Sequence, residues 1–145
     1  MELKNTKILL LGILLATIFM SGCTDQEFKP DVKLSLDKNS ITVTEKELSE
    51  FITATISRQD SNTNETVFIL KFPEYKKNVY PTDVNGNRIT ELQTKSLVGQ
   101  NSKDIVQFKV FATKGEGTTI TYDLKIELWW DDTKIQDKVI KIAVK

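Results

Sequence analysis

The chain contains no histidine, and that absence removes more chemistry than any single residue present supplies. Without imidazole there is no Ser-His or Cys-His nucleophile pair. The commonest general base is missing, and so is the usual side chain for zinc and iron. One cysteine in 145 residues allows neither an intrachain disulfide nor a thiolate metal cage. Lys plus Arg number 20 and Asp plus Glu number 20, so no basic surplus exists to neutralise a phosphate backbone, and nucleic acid is excluded as a partner. The longest apolar run, Ile8 to Met20, holds 13 residues. A membrane-spanning helix needs roughly 20. On these grounds no catalytic residue, metal site or cofactor is assigned, and the chain is read as a non-enzyme.

What is present begins with an address. Lys4 and Lys7 precede the apolar run, and Ser21-Gly22-Cys23 closes it. A basic n-region, an apolar h-region and small residues at the end form a secretory signal pattern. With the only Cys directly after Ser-Gly, the segment resembles the lipobox of prokaryotic lipoprotein precursors; Met20 stands where Leu is usual. The resemblance implies cleavage between Gly22 and Cys23, and a thioether-linked diacylglyceryl group on Cys23. Two acyl chains give durable anchoring where one gives only marginal binding.

Beyond Pro30 the hydrophobic period becomes two. Val32, Leu34 and Leu36 alternate with polar residues, as do Ile41 and Val43 after the turn cluster Asp37-Lys38-Asn39-Ser40. Ile52, Ala54 and Ile56 share one face. Thr66 to Phe72 is nearly continuous in apolar character, which predicts a strand buried on both faces and ended by Pro73. Asn85-Gly86 predicts a type I′ hairpin after Val79-Tyr80, with Ile89 to Leu92 as the return strand. Val106, Phe108, Val110 and Ala112 alternate again. The clearest strand has Ile120, Tyr122, Leu124, Ile126, Leu128 and Trp130 on one face, and Ile140, Ile142 and Val144 mark the last strand. Glu45 to Phe51 offers at most a helical turn. Short strands of this spacing predict an all-β fold, an antiparallel sandwich of seven to eight strands.

Three features together resemble the Ig-like domains of prokaryotic surface proteins, including the cell-adhesion-related type. They are Ser40-Ile41-Thr42-Val43, Leu97-Val98-Gly99-Gln100-Asn101-Ser102, and Tyr122 early in the penultimate strand. The resemblance implies a tyrosine corner, in which the Tyr122 hydroxyl bonds nearby backbone. It also implies a domain that binds, spaces or presents. The organisation is then a signal peptide over 1–22, a lipid anchor and linker over 23–31, and an Ig-like sandwich over 32–145.

Three surface motifs are candidates for chemistry. Trp129-Trp130-Asp131-Asp132 ends the clearest strand. Successive strand residues face opposite ways, so Trp130 enters the core and Trp129 faces outward. An outward Trp129 beside Asp131 and Asp132 suits a sugar ring or a protein partner, or it is covered by its neighbours while the aspartates form a solvated turn. Asn64-Glu65-Thr66 is an N-glycosylation sequon, making Asn64 the candidate modified residue. Asp83, Asn85 and Asn87 have calcium-loop spacing, but Arg88 and Thr94 stand where a loop Gly and Glu belong, so the residues read as a turn.

The chain is therefore expected to be a lipid-anchored, extracytoplasmic binding or structural module on the cell membrane. Its partners are the membrane and another surface or membrane protein, or a glycan. A carbohydrate-binding module using Trp129 is the rival. Between Cys23 and Val32 the linker spans at most ~26–29 Å when extended, which keeps the module at the membrane face.

Overall fold

The computed structural model describes residues 28–74, 76–115 and 120–145. The signal segment and Cys23 lie outside the described residues. Eleven strands are present: β1 (Val32–Leu36), β2 (Ser40–Val43), β3 (Ile52–Arg58), β4 (Glu65–Thr66), β5 (Ile69–Lys71), β6 (Val79–Thr82), β7 (Glu91–Gln93), β8 (Leu97–Val98), β9 (Lys103–Ala112), β10 (Ile120–Trp130) and β11 (Thr133–Val144). The expected all-β sandwich is what forms, with no helix among the described residues. The strands beyond the seven or eight predicted are mostly pieces of two or three residues.

One sheet has the order β1-β3-β9-β6 and the other β2-β11-β10-β5-β7, with β4 and β8 as a separate ribbon. The first strand is divided between the sheets. β1 pairs antiparallel with β3, then β2 pairs parallel with β11. The predicted turn cluster makes the switch possible. Asp37 Oδ1 accepts from Thr53 N at 2.8 Å, and Lys38 Nζ donates to the Phe51 carbonyl at 2.8 Å.

Period-two patterning drives the layers together. Ile52, Ala54 and Ile56 of β3 are buried and the intervening residues half-buried. Tyr122, Leu124, Ile126 and Leu128 of β10 face the same core as Ile140, Ile142 and Val144 of β11. Phe72 and Phe108 meet edge-on, with centroids 5.1 Å apart, and join the two layers. Each of these side chains contributes ~1.5–3 kcal/mol by leaving water.

Three local expectations are corrected. The run from Thr66 to Phe72 is not one strand buried on both faces. It breaks at Val67-Phe68, where Phe68 N donates to Thr94 Oγ1 at 3.0 Å and the Phe68 carbonyl accepts from Thr94 N at 2.9 Å. Its residues alternate, with Val67 exposed and Phe68 buried. The Asn85-Gly86 turn has positive φ only at Gly86, at 88°, so it is not type I′. Gly86 N donates to the Asp83 carbonyl at 3.1 Å and Asp83 N to the Asn87 carbonyl at 2.8 Å. Glycine takes the left-handed conformation at no steric cost. Finally, the return segment does not stay beside β6. After Ile89 N reaches the Pro81 carbonyl, the chain crosses to the other sheet, where β7 pairs with β5.

Candidate functional site

The end of β10 carries a bulge. Leu128 lies opposite Gln136 and Trp129 opposite Lys134, so Ile135 has no counterpart. An extra residue on one strand bends it and re-aims its neighbours. Both tryptophans are half-buried. Trp130 packs against the core and Trp129 lies on the outer face of the five-stranded sheet, as alternation requires.

On that outer face Trp129 lies between Lys134 on β11 and Ile69 on β5, and Glu127 lies between Asp137 and Lys71. The indole N–H donates to Glu127 Oε2 at 2.9 Å. The Lys71 ammonium sits 4.2 Å from the centroid of the Trp129 ring. Lys125 Nζ and Lys134 Nζ approach Glu127 Oε1 at 3.2 and 3.5 Å. Glu127 is consequently only 7% exposed although it sits on an outer sheet face. Burial pushes its carboxyl pKa up, but the indole N–H and the two ammonium groups outweigh that and hold it below the usual range. The hydrogen bond from its own ammonium to Glu127 raises the Lys125 pKa.

Asp131 and Asp132 form the two-residue turn to β11, both exposed, with Asp131 at φ 48°. No hydrogen bond or ion pair joins either to Trp129 among the described residues. The carboxylate that meets Trp129 is Glu127. Outward exposure of Glu127 is what alternation predicts, and only the three-dimensional convergence of Lys125, Lys134 and Trp129 reveals its burial.

The inward side of this end holds a second polar centre. Arg58 is fully buried. Its guanidinium forks onto Asp60, with Nη2 2.9 Å from Oδ1 and Nε 3.0 Å from Oδ2. Nη1 donates to the carbonyls of Asn64 and Leu97. The guanidinium hydrogen bond holds the Asp60 carboxyl below the usual range against the opposing pull of burial. Phe28 stands beside this group, 5.6 Å from the Arg58 guanidinium and 6.0 Å from Trp130 in an edge-on contact. Asp31 N donates to Asp60 Oδ2 at 3.0 Å, and Gln59 N to the Asp31 carbonyl at 2.8 Å. Sequence reading passed over Arg58, yet the signal was available: it continues the Ile52, Ala54, Ile56 series on the inward face.

The remaining motifs are absorbed by local structure. Asp83 Oδ1 accepts from Asn85 N and Asn87 N at 2.8 and 2.9 Å, and Oδ2 from Asn87 Nδ2 at 3.0 Å, so the carboxylate closes its own turn. No group of three or more potential metal-binding His, Cys, Asp or Glu side chains occurs among the described residues. Asn64 is exposed, but Thr66 of its sequon is 4% exposed and donates to the Asn64 carbonyl at 3.3 Å. Tyr122 Oη donates to the Thr113 carbonyl at 3.3 Å, the contact expected of a tyrosine corner.

No family model and no curated protein matches the chain in sequence. Among solved structures, the CARDB domain of the PF1109 protein from Pyrococcus furiosus, crystallised with di-metal ions, is similar at 11% identity and a TM-score of 0.50. That likeness covers 82% of this chain and 97% of the other. Domains 4 and 5 of the S-layer protein SbsC are similar at 12% identity and a TM-score of 0.42, covering 81% and 54% of the two chains. The chain thus has an Ig-like sandwich fold similar to that of the CARDB domain.

Proposed function

We propose that the protein is a lipid-anchored, extracytoplasmic Ig-like module that binds or spaces other components close to the membrane face. The observation that carries this reading is Ser21-Gly22-Cys23 directly behind a 13-residue apolar run, with Phe28, five residues further on, packed against the sandwich. The Ig-like fold supports it, because such sandwiches present surfaces and loops more often than reacting groups. A sugar platform on Trp129 is the weaker reading, since a stacking ring would first have to displace the Lys71 ammonium. Intact mass spectrometry of the N-terminus tests the anchor. The mature chain should begin at Cys23 and carry the mass of a diacylglyceryl group, and Cys23→Ala should abolish both. A mature protein that begins elsewhere defeats the proposal.

A further inference from the structure

We infer that Phe28 docks the N-terminal segment onto one end of the sandwich, so that this end rests at the lipid headgroup surface and the opposite end points outward. The inference rests on the anchored reading above and adds an orientation to it. The docking point is defined by both sheets. Phe28 contacts Trp130, the last residue of β10, and Arg58, the last residue of β3. Asp31 then joins the loop after β3 through Asp60 and Gln59. The loops 59–64, 94–102 and 131–132 share this end with Phe28 because β3, β10 and β11 finish or start there in register with β9 and β5.

Docking shortens the tether. Counted to Val32, the linker is eight residues, but counted to Phe28 it is four, Thr24 to Glu27. Four extended residues reach ~13–14 Å. The opposite end carries Lys46, Asn78 and Thr113, which are bonded to one another's neighbourhood through the carbonyls of Ala112 and Asn78. β10 runs between the two ends with a rise of ~33 Å. The far end therefore lies ~33 Å from the docking point, more than twice what the tether can stretch. Charge does not set this orientation. Exposed Lys29, Lys33, Lys95, Lys103 and Lys134 share the docked end with exposed Asp31, Glu65, Asp131 and Asp132, so the two signs are interspersed there and no one-sign basic patch faces the lipid.

Because Cys23 is the only thiol, the orientation can be tested without cellular lipid attachment. The chain from Cys23 to Lys145, which holds every core residue, is coupled through that thiol to a maleimide-headgroup lipid. The lipid is carried in nanodiscs of neutral phosphatidylcholine that also contain a nitroxide-headgroup lipid. Paramagnetic relaxation of backbone amides is then measured. Amides of Gln59, Asn62, Gln100 and Asp132 should relax at least about tenfold faster than those of Lys46, Asn78 and Thr113, given the ~33 Å between the ends. That ratio should not change with salt. Phe28→Ala, with core amide positions preserved, should lower the ratio several-fold. A six-residue Gly/Ser insertion after Glu27, which leaves Phe28 in place, should lower it as well, so the test survives if Phe28→Ala does not fold. Equal relaxation at the two ends, a salt-dependent ratio, or a ratio that both variants leave unchanged overturns the inference. The N-terminal mass spectrum separately decides whether the cell attaches the lipid.

Discussion

Asp60→Ala should destabilise the protein more than any other single change on its surface loops. Among the described residues the carboxylate is the only counter-charge on a guanidinium with 0% side-chain exposure, while its own side chain is 16% exposed. Removing one partner of a buried pair costs ~3–5 kcal/mol because the other charge is left without compensation. Two features bring the expectation to the lower end. Asp60 is partly hydrated, and Arg58 keeps the Asn64 and Leu97 carbonyls. A loss of about 3 kcal/mol lowers the melting temperature of a domain this size by about 12 °C.

Urea unfolding followed by tryptophan fluorescence measures the loss, and a double-mutant cycle isolates the pair. Arg58→Met should cost a similar amount, since it orphans two carbonyls. The double variant should cost less than the two singles together, by ~1–3 kcal/mol. The acid dependence has a definite sign. Asp60 has a lowered folded pKa, so its contribution is complete above the unfolded value of ~3.9 and is lost as pH falls through the lower folded value. Wild type should therefore converge on Asp60→Ala in acid. A loss below about 1 kcal/mol, additive singles, or parallel pH curves would refute the reasoning.

Ile126→Ala should cost ~2–5 kcal/mol, because Ile126 is 0% exposed in the core and its neighbours cannot fill the hole; urea midpoints read this directly. Lys125→Ala, on sequence grounds a near-neutral surface change, should instead lower the urea midpoint measurably, though by less than Ile126→Ala. Its ammonium helps to compensate the buried Glu127. Tyr122→Phe should lose about 1 kcal/mol through the bond to Thr113, and more if the corner fixes the following strand. The Glu127 contribution should also disappear in acid, since its folded pKa is lowered. Trp129 emission should change in the same range, and a Glu127→Gln variant should remove that response.

The parts of the fold that sequence makes legible are those in which one residue's class determines its place. β3 and β10 read correctly because each apolar residue had only one face on which to leave water. The Tyr122 contact is one that the resemblance to Ig-like domains implies. The segment from Thr66 to Phe72 misled because apolar content does not reveal a strand break. That break depends on Thr94, which lies more than twenty residues away in the chain. Asn85-Gly86 misled because the dipeptide permits type I′ without requiring it, and Asp83 supplies three hydrogen bonds that favour another closure.

The same distinction explains why Trp129 looks more open in sequence than in space. Its position on the outer face follows from alternation, but its cover comes from two other strands as well as its own. Lys71 belongs to β5, Lys134 to β11, and Glu127 to the residue two places earlier on its own strand. Each group satisfies another: the ammonium groups balance the carboxylate, the carboxylate accepts the indole N–H, and the ring face takes Lys71. A ligand at this face would have to replace contacts of ~0.5–2 kcal/mol for the cation and ring alone. Arg58 and Asp60 are closed in the same manner on the inward side. At Phe28, by contrast, the chain offers an aromatic ring that meets Trp130 of one sheet and Arg58 of the other. The proposed orientation therefore rests on the contacts of Phe28, rather than on the tryptophan that draws the eye in the sequence.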